Sequence, residues 1–286
     1  PVTACPLANR PLSPATPVCA TSECMTGVTR RPVGRWPADE DEFDSVVVEE
    51  PLEIRVEGKA LAVTMRTPGH DLELAAGFLF TEGVIDGPDD LIALRHVDLP
   101  TDPQGNTVDA LLAGGVDAHR EAISRATREM YATSSCGLCG KASIDRIHLN
   151  AAPLTSKLEP DPAMLIALPA RMRAAQTAFA TTGGLHAAAL FDMAGELEVL
   201  REDIGRHNAV DKVLGWRLQQ DRVPVDDRIL VVSSRAGFEI VQKARVAGVS
   251  CVAAVGATSS LAIDLASQSG MTLFGFLRED RLNRYC

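Results

Sequence analysis

Between Ala187 and Leu277 short apolar runs alternate with helix-length segments, a rhythm that few folds can accommodate. Ala187 to Phe191 and Leu197 to Arg201 read as a hairpin turning at Ala194-Gly195. Asn208 to Gln219 reads as a helix, Arg228 to Val232 as a buried strand, and Phe238 to Ala247 as a second helix. Strand Cys251 to Val255, helix Ser260 to Gln268 and strand Met271 to Leu277 complete the series. Strand–helix alternation of this kind predicts an α/β unit whose largely parallel sheet is covered on both faces. In open sheets of that class ligands bind beyond the carboxyl ends of the strands.

The segments at those ends are polar: Glu202 to Asn208, Ser233 to Gly237, Gly256 to Ser260, and Arg278 to Arg281. Three of the four open a helix with Gly, Ser or Asn, where free backbone N–H groups favour an anion. Arg206, Arg235, Arg278 and Arg281 add forked donors suited to phosphate. Taken singly, Arg206-His207 at a helix start is a common cap with an ion pair, and His186 beside an apolar strand is a common structural histidine. Their convergence on one sheet edge is what makes them candidates. The chain carries a net charge of −10 over 286 residues, which argues against nucleic acid or a membrane surface as partner. An anionic ligand must therefore meet a local basic cluster.

Upstream, residues 1 to 44 contain Pro1, Pro6, Pro11, Pro14, Pro17 and Pro32, the cysteines Cys5, Cys19 and Cys24, and the acidic run Asp39 to Glu42. They read as a flexible extension ending in a solvated linker. Order is expected from about Ser45. Strands over 46–48, 52–57 and 60–66 precede a helix from Leu72 to Glu82 that Asp71 could cap and Gly83 close. Strand-like pieces near 91–98 and 107–112 and a helix from Asp117 to Met130 complete a β-rich α+β domain over 45–133. A further helix is expected from Pro162 to about Phe179. No stretch approaches the roughly 20 apolar residues of a spanning helix, and no leader pattern opens the chain, so the expectation is a cytoplasmic protein.

Between the two halves, over 134–149, lies Ser134-Ser135-Cys136-Gly137-Leu138-Cys139-Gly140-Lys141. Two thiols so spaced can share a metal ion, form a disulfide, or act as nucleophile and neighbour. A closed zinc site needs four ligands, and no second Cys-x-x-Cys or His-x-x-x-His lies at finger spacing, so no structural metal is expected. A thioredoxin-like pair opens a helix directly after a strand, whereas this loop follows a helix. A persulfide carrier suits a small-residue loop with Lys141 favouring the thiolate, and spacing alone leaves redox and persulfide chemistry open.

The motifs together resemble the FdhD family, the formate dehydrogenase accessory sulfurtransferases. The matching stretches are Arg66-Thr67-Pro68-Gly69-His70-Asp71, Ser135 to Gly140, Thr182 to Ala188, Arg201 to Lys212, Phe238 to Ala244 and Leu273 to Arg278 with Arg281 and Tyr285. The resemblance spans about residues 45 to 285. It implies a C-terminal domain over 150–286 with a cytidine-deaminase-like three-layer α/β fold, beside the smaller N-terminal domain, and a homodimer. It also implies that sulfur arrives from a cysteine desulfurase as a persulfide on Cys136, with Cys139 assisting. Delivery is then to the molybdenum or tungsten bis(molybdopterin guanine dinucleotide) cofactor before that cofactor enters the catalytic subunit of formate dehydrogenase. Phe276, Leu277, Arg278, Glu279, Asp280 and Arg281 match the family's cofactor-binding stretch, where a guanine nucleotide such as GDP would also fit. His186, Arg206, His207 and Arg235 are expected to contribute. Deamination is disfavoured, because His186-Ala187-Ala188 has alanine where a deaminase needs its proton-shuttling glutamate. One departure is Ser233-Ser234-Arg235, where the family pattern leads one to expect Ser-Gly-Arg.

Overall fold

A computed structural model describes residues 27–36, 40–133, 154, 156–278 and 280–286. Leu52, Ile54 and Val56 alternate inward along β3 (Glu50–Val56), which turns at Glu57-Gly58 into antiparallel β4 (Lys59–Arg66). β3 also pairs in parallel with β6 (Thr107–Leu112), and β5 (Leu91–His96) closes a four-stranded sheet of order β4-β3-β6-β5. The apolar face of α1 (Asp71–Thr81) contributes Leu74, Ala75, Phe78 and Leu79 to the cluster formed by the inward residues of this sheet.

The second sheet has six strands in the order β12-β11-β10-β9-β7-β8. These are β7 (His186–Phe191), β8 (Leu197–Asp203), β9 (Ile229–Val232), β10 (Cys251–Ala254), β11 (Thr272–Gly275) and β12 (Asn283–Arg284). Burial explains why its strands lack the polar alternation of a half-exposed sheet. Ala188, Leu190, Leu230, Val232, Val252 and Ala254 join the same cluster as α6 (Arg206–Gln219), α7 (Phe238–Val246) and α8 (Ser260–Ser269). The intervening residues Ala187, Ala189, Phe191, Ile229, Val231, Cys251 and Ala253 pack on the other face with Leu165, Leu168 and Met172 of α4 (Pro162–Ala175). The α/β expectation holds. Parallel pairing is confined to β9-β10-β11, while β7, β8 and β12 join antiparallel, so the sheet is mixed.

One hydrophobic cluster runs from the four-stranded sheet through α1 and α6 into the six-stranded sheet. The two helices meet backbone to backbone. A Cβ added at Gly77 would lie 1.8 Å from the Asp211 carbonyl oxygen, and one at Gly215 would lie 1.9 Å from that of Glu73.

Several expectations change. Order begins well before Ser45, because β1 (Val28–Arg35) and β2 (Glu40–Val47) form an antiparallel hairpin. The acidic run falls largely within β2, where Glu42 meets Arg35 of β1 at 2.6 Å, so opposite charge across the ladder makes a strand of an apparent linker. Asp71 does not cap α1; Arg66 holds its carboxylate with two 2.9 Å hydrogen bonds, and His70 at φ 58° is the cap residue. The helix expected from Pro162 to Phe179 breaks at Gln176. There the Glu202 carboxylate accepts from Ala178 and Phe179 N–H at 3.0 and 2.8 Å and starts α5 (Thr177–Thr182). The last parallel strand ends at Gly275 because Phe276 turns left-handed at φ 51°. The helix expected from Asp117 is preceded by a short turn, α2 (Gly115–Ala118), and runs as α3 (Arg120–Thr133).

A methyl group at the α1–α6 crossing has nowhere to go, because the atoms it meets are backbone. Gly77→Ala or Gly215→Ala should each cost about 3 kcal/mol or more by overpacking, read as a lowered urea unfolding midpoint. Gly34→Ala, where nothing lies within 4 Å, should leave the midpoint close to the parent's.

Candidate functional site

Strand register assembles the candidate edge. Ala188 lies opposite Val232, Val232 opposite Ala254, and Ala253 opposite Phe274, while His186 faces Asp203 across β7 and β8. The turns after Asp203, Val232, Ala254 and Gly275 and the segment before His186 therefore share one side of the sheet. The first three of these turns each lead into a helix, with Gly205, Gly237 and Ser259 as the cap residues of α6, α7 and α8.

A cleft of about 1360 Å³ opens at this edge, between the α4–α5 elbow and the turn after β11. Its lining includes Gln176, His186, Ser233, Arg278, Asp280 and Arg281. Arg278 and Arg281 are exposed and close a tight turn, Arg278 N–H donating to Arg281 C=O at 2.9 Å. Neither has an ion-pair partner among the described residues. Leu277 also lines the cleft while fully buried, its N–H donating to Ala254 C=O at 3.1 Å. Phe276 precedes it, 37 % exposed and outside the lining. Its left-handed backbone, uncommon for an aromatic residue, is held by its N–H donating to Gly256 C=O at 2.9 Å.

Not every expected residue joins the cleft. Arg206 and His207 are engaged by Glu239 of α7, at 3.8 and 2.7 Å, and do not line it. The His207 hydrogen bond, with both cationic neighbours, holds the Glu239 carboxyl below its ordinary value despite burial. Arg235 is exposed on the turn after β9, outside the cleft lining and without an ion-pair partner among the described residues. Ser234 is accommodated where glycine was expected, since it needs no positive φ. Cys136, Cys139 and Glu279 lie outside the described residues, as do Cys5, Cys19 and Cys24. Cys251 is the small core residue its apolar strand suggests, with burial pushing its thiol far up.

His186 is the histidine of the cleft lining, beside the carboxylate of Asp280 and the guanidinium groups. Burial pushes its imidazole below the ordinary value, and the charges of Arg206 and His207 add to that, against the pull of Asp203. The ring is accordingly neutral at neutral pH and offers one donor and one acceptor.

The edge is fixed from behind by a buried carboxylate. Asp203, fully buried, accepts from Gly205 N–H at 2.8 Å, Asn208 Nδ2 at 3.0 Å and Thr67 N–H at 3.2 Å, and pairs with Lys212 Nζ at 2.7 Å. Lys212 also donates to Thr67 C=O at 2.9 Å. The end of β4 and the turn opening α6 are thus tied to one ion pair. Sequence motifs pointed at Asp203 only as part of a polar segment, and they gave no sign of Gln176, because no Gly or Pro marks the helix break there.

The model of the FdhD/NarQ family matches residues 47–286. A sulfur carrier protein FdhD of Mycolicibacterium paratuberculosis is 49% identical over 247 residues, covering 85% of this chain and 90% of that protein. Another, from Streptomyces avermitilis, is 51% identical over 248 residues, covering 85% and 87%. A crystal structure from Desulfotalea psychrophila, described as a formate dehydrogenase accessory protein, shares the fold with a TM-score of 0.67 at 24% identity, covering 90% of this chain and 95% of that one.

The His186 environment is testable. In a ¹H–¹⁵N titration His186 should titrate below 6.5, and Arg206→Ala should move it upward. Below about pH 6.5 the unfolded chain binds the proton that folded His186 refuses, so this group's contribution to stability falls as pH falls and is flat above that range. A His186 value that does not respond to Arg206→Ala would remove Arg206 from the causes and leave burial and His207 to account for the depression.

Proposed function

The chain belongs to the FdhD/NarQ family, and from that membership we propose that it is a sulfur carrier serving formate dehydrogenase, with Cys136 as the sulfur-bearing thiol. In this reading Cys136 thiolate attacks the outer sulfur of a persulfide on a cysteine desulfurase. A new S–S bond forms on Cys136 as the donor's bond breaks, and the donor leaves as thiolate. Cys139, three residues on, is placed by the spacing to attack the inner sulfur of that persulfide. Such attack would release sulfur at the sulfide level and leave a Cys136–Cys139 disulfide, supplying the two electrons that reduce the carried sulfur. The acceptor is the molybdenum or tungsten bis(molybdopterin guanine dinucleotide) cofactor, bound as substrate before it passes to the formate dehydrogenase catalytic subunit.

The observation that carries the cofactor half of this reading is the cleft at the strand ends. In a chain of net charge −10, it presents Arg278 and Arg281 without carboxylate partners among the described residues, beside the neutral imidazole of His186. Guanidinium groups left free in this way suit the phosphates of a guanine dinucleotide. The cleft volume of about 1360 Å³ is ample for a nucleotide moiety.

Two measurements test the two halves. Incubation with a cysteine desulfurase and cysteine should add about 32 Da, one sulfur, to the intact chain, and Cys136→Ala should abolish the adduct. A parent that never gains sulfur while still binding GDP would make the protein a cofactor-binding chaperone instead. By calorimetry, Arg278→Ala and Arg281→Ala should each weaken GDP by about tenfold, the scale of one lost charge-assisted contact, with persulfide formation on Cys136 intact. Unchanged affinity in both variants would remove the cleft from the cofactor's path.

A further inference from the structure

Far from the cleft, one histidine faces two acceptors. His119 Nδ1 lies 2.9 Å from the Val84 carbonyl oxygen, and Nε2 lies 3.0 Å from that of Ala113. A carbonyl oxygen can only accept, and a neutral imidazole has a single N–H to give. The neutral ring would therefore turn a nitrogen lone pair toward an oxygen lone pair at hydrogen-bond distance. Only the imidazolium, with an N–H on each nitrogen, satisfies both oxygens.

The ring joins three parts of the chain. Val84 follows α1 and is buried, its N–H donating to Leu79 C=O at 2.8 Å. Ala113 follows β6, its N–H donating to Asp90 C=O at 2.8 Å. His119 itself stands between α2 and α3, and its C=O accepts from Ile123 N–H at 2.9 Å in the first turn of α3. Both acceptors thus belong to parts held by other bonds, α1 being the helix merged with α6, and β6 an inner strand of the four-stranded sheet. The ring pins α3 to them, and α3 runs to Thr133, where the Cys-x-x-Cys segment begins.

Charge around the ring favours the extra proton. A pocket of about 480 Å³ is lined by His119 together with Asp86 of the loop after α1, Asp117 of α2, and Arg120, Glu121 and Arg125 of α3. Asp117 pairs with Arg120 at 2.5 Å, and Arg125 donates to Gly83 C=O at 3.5 Å. On the β6 side stand Asp90, which accepts Asp86 N–H at 2.7 Å, and Glu57, which approaches Gly115 at the start of α2. Lys59 adds one cation near Asp117. Carboxylates outnumber cations in this setting, and opposite charge nearby favours the charged form of a base.

We propose that His119 is a proton-operated clasp: as an imidazolium it donates to Val84 and Ala113 together and seats α3, and loss of one ring proton to solvent releases one of the two carbonyls. No other bond changes in that step. The clasp shares no lining residue with the cleft at the strand ends, so it acts independently of whatever the cleft holds. Its contribution is greatest on the acid side and fades as pH rises, because the folded state then loses the proton that makes the second hydrogen bond.

Long-range ¹H–¹⁵N NMR of the full chain at about pH 7.5 tests this, since a free histidine, titrating near about 6.5, carries one ring proton there. His119, assigned through its backbone or by the loss of its signals in His119→Gln, should be protonated on both nitrogens in most molecules. A ring that is chiefly singly protonated would overturn the clasp. Urea unfolding gives a second readout. Glutamine donates to one of the two carbonyls at most and does not titrate. His119→Gln should therefore lower the folding equilibrium constant by about twentyfold at about pH 6, the scale of one lost charged hydrogen bond, and by about threefold or less at about pH 9. An equal loss at both pH values would also overturn the proposal. If the variant does not fold, the NMR measurement on the parent decides alone.

Discussion

Much of the architecture depends on the contact between Gly77 and Gly215, where α1 and α6 approach until backbone touches backbone. Ordinary helix pairs sit 8–10 Å apart because side chains separate them. Here the absence of a Cβ on either side lets the helices merge into one layer that is shared between two sheets. α1 presents Leu74, Phe78 and Leu79, and α6 presents Val210, Val213 and Leu214, all within one continuous cluster. The four-stranded sheet is therefore part of the core that supports the six-stranded sheet, and a change at the crossing would be felt at both.

Buried charge then sets the register of that layer. Lys243 on α7 reaches Asp211 Oδ2 at 3.0 Å, Glu82 Oε1 at 2.7 Å and Thr81 Oγ1 at 2.9 Å, joining the end of α1 to α6 and α7. Burial works against its charge, but the two carboxylates outweigh that and hold the ammonium above its usual value. Lys212, Asp203 and Thr67 make the second knot, and Arg66 with Asp71 and Asn106 the third. Pairs of this kind add little net stability over apolar residues of the same size, but breaking one partner leaves an uncompensated buried ion. Their value lies in specificity. The glycine crossing fixes where α1 meets α6, and Asp203 adds a directional tie, accepting from Thr67, Gly205 and Asn208.

The α/β rhythm was legible in the sequence because both faces of the six-stranded sheet are buried, so its strands are unbroken apolar runs punctuated by Gly, Ser and Asn. The collection of Arg278, Arg281 and His186 at one edge followed from topology alone. What escaped notice depended on contacts distant in sequence. The break at Gln176 is made by Glu202, 26 positions later, through its carboxylate on Ala178 and Phe179 N–H. The β1–β2 hairpin was hidden because its strands are rich in charge, and charge pairs across a ladder are invisible to hydrophobic periodicity. Arg206 and His207 looked like free cations for the same reason, their partner Glu239 lying on another helix.

That last pairing divides the labour along the edge. Four arginines stand there, yet Glu239 neutralises Arg206 with His207, while Arg278 and Arg281 have no carboxylate partner among the described residues. The first group still acts at a distance, since Arg206 and His207 join burial in depressing the His186 imidazole. The neutral imidazole shares the cleft lining with Arg278 and Arg281 and with the acceptor oxygens of Asp280 and Ser233, so donors and acceptors stand there together. Binding at this edge would therefore depend on hydrogen-bond direction as well as on charge, because a neutral imidazole accepts only along the lone pair of its unprotonated nitrogen.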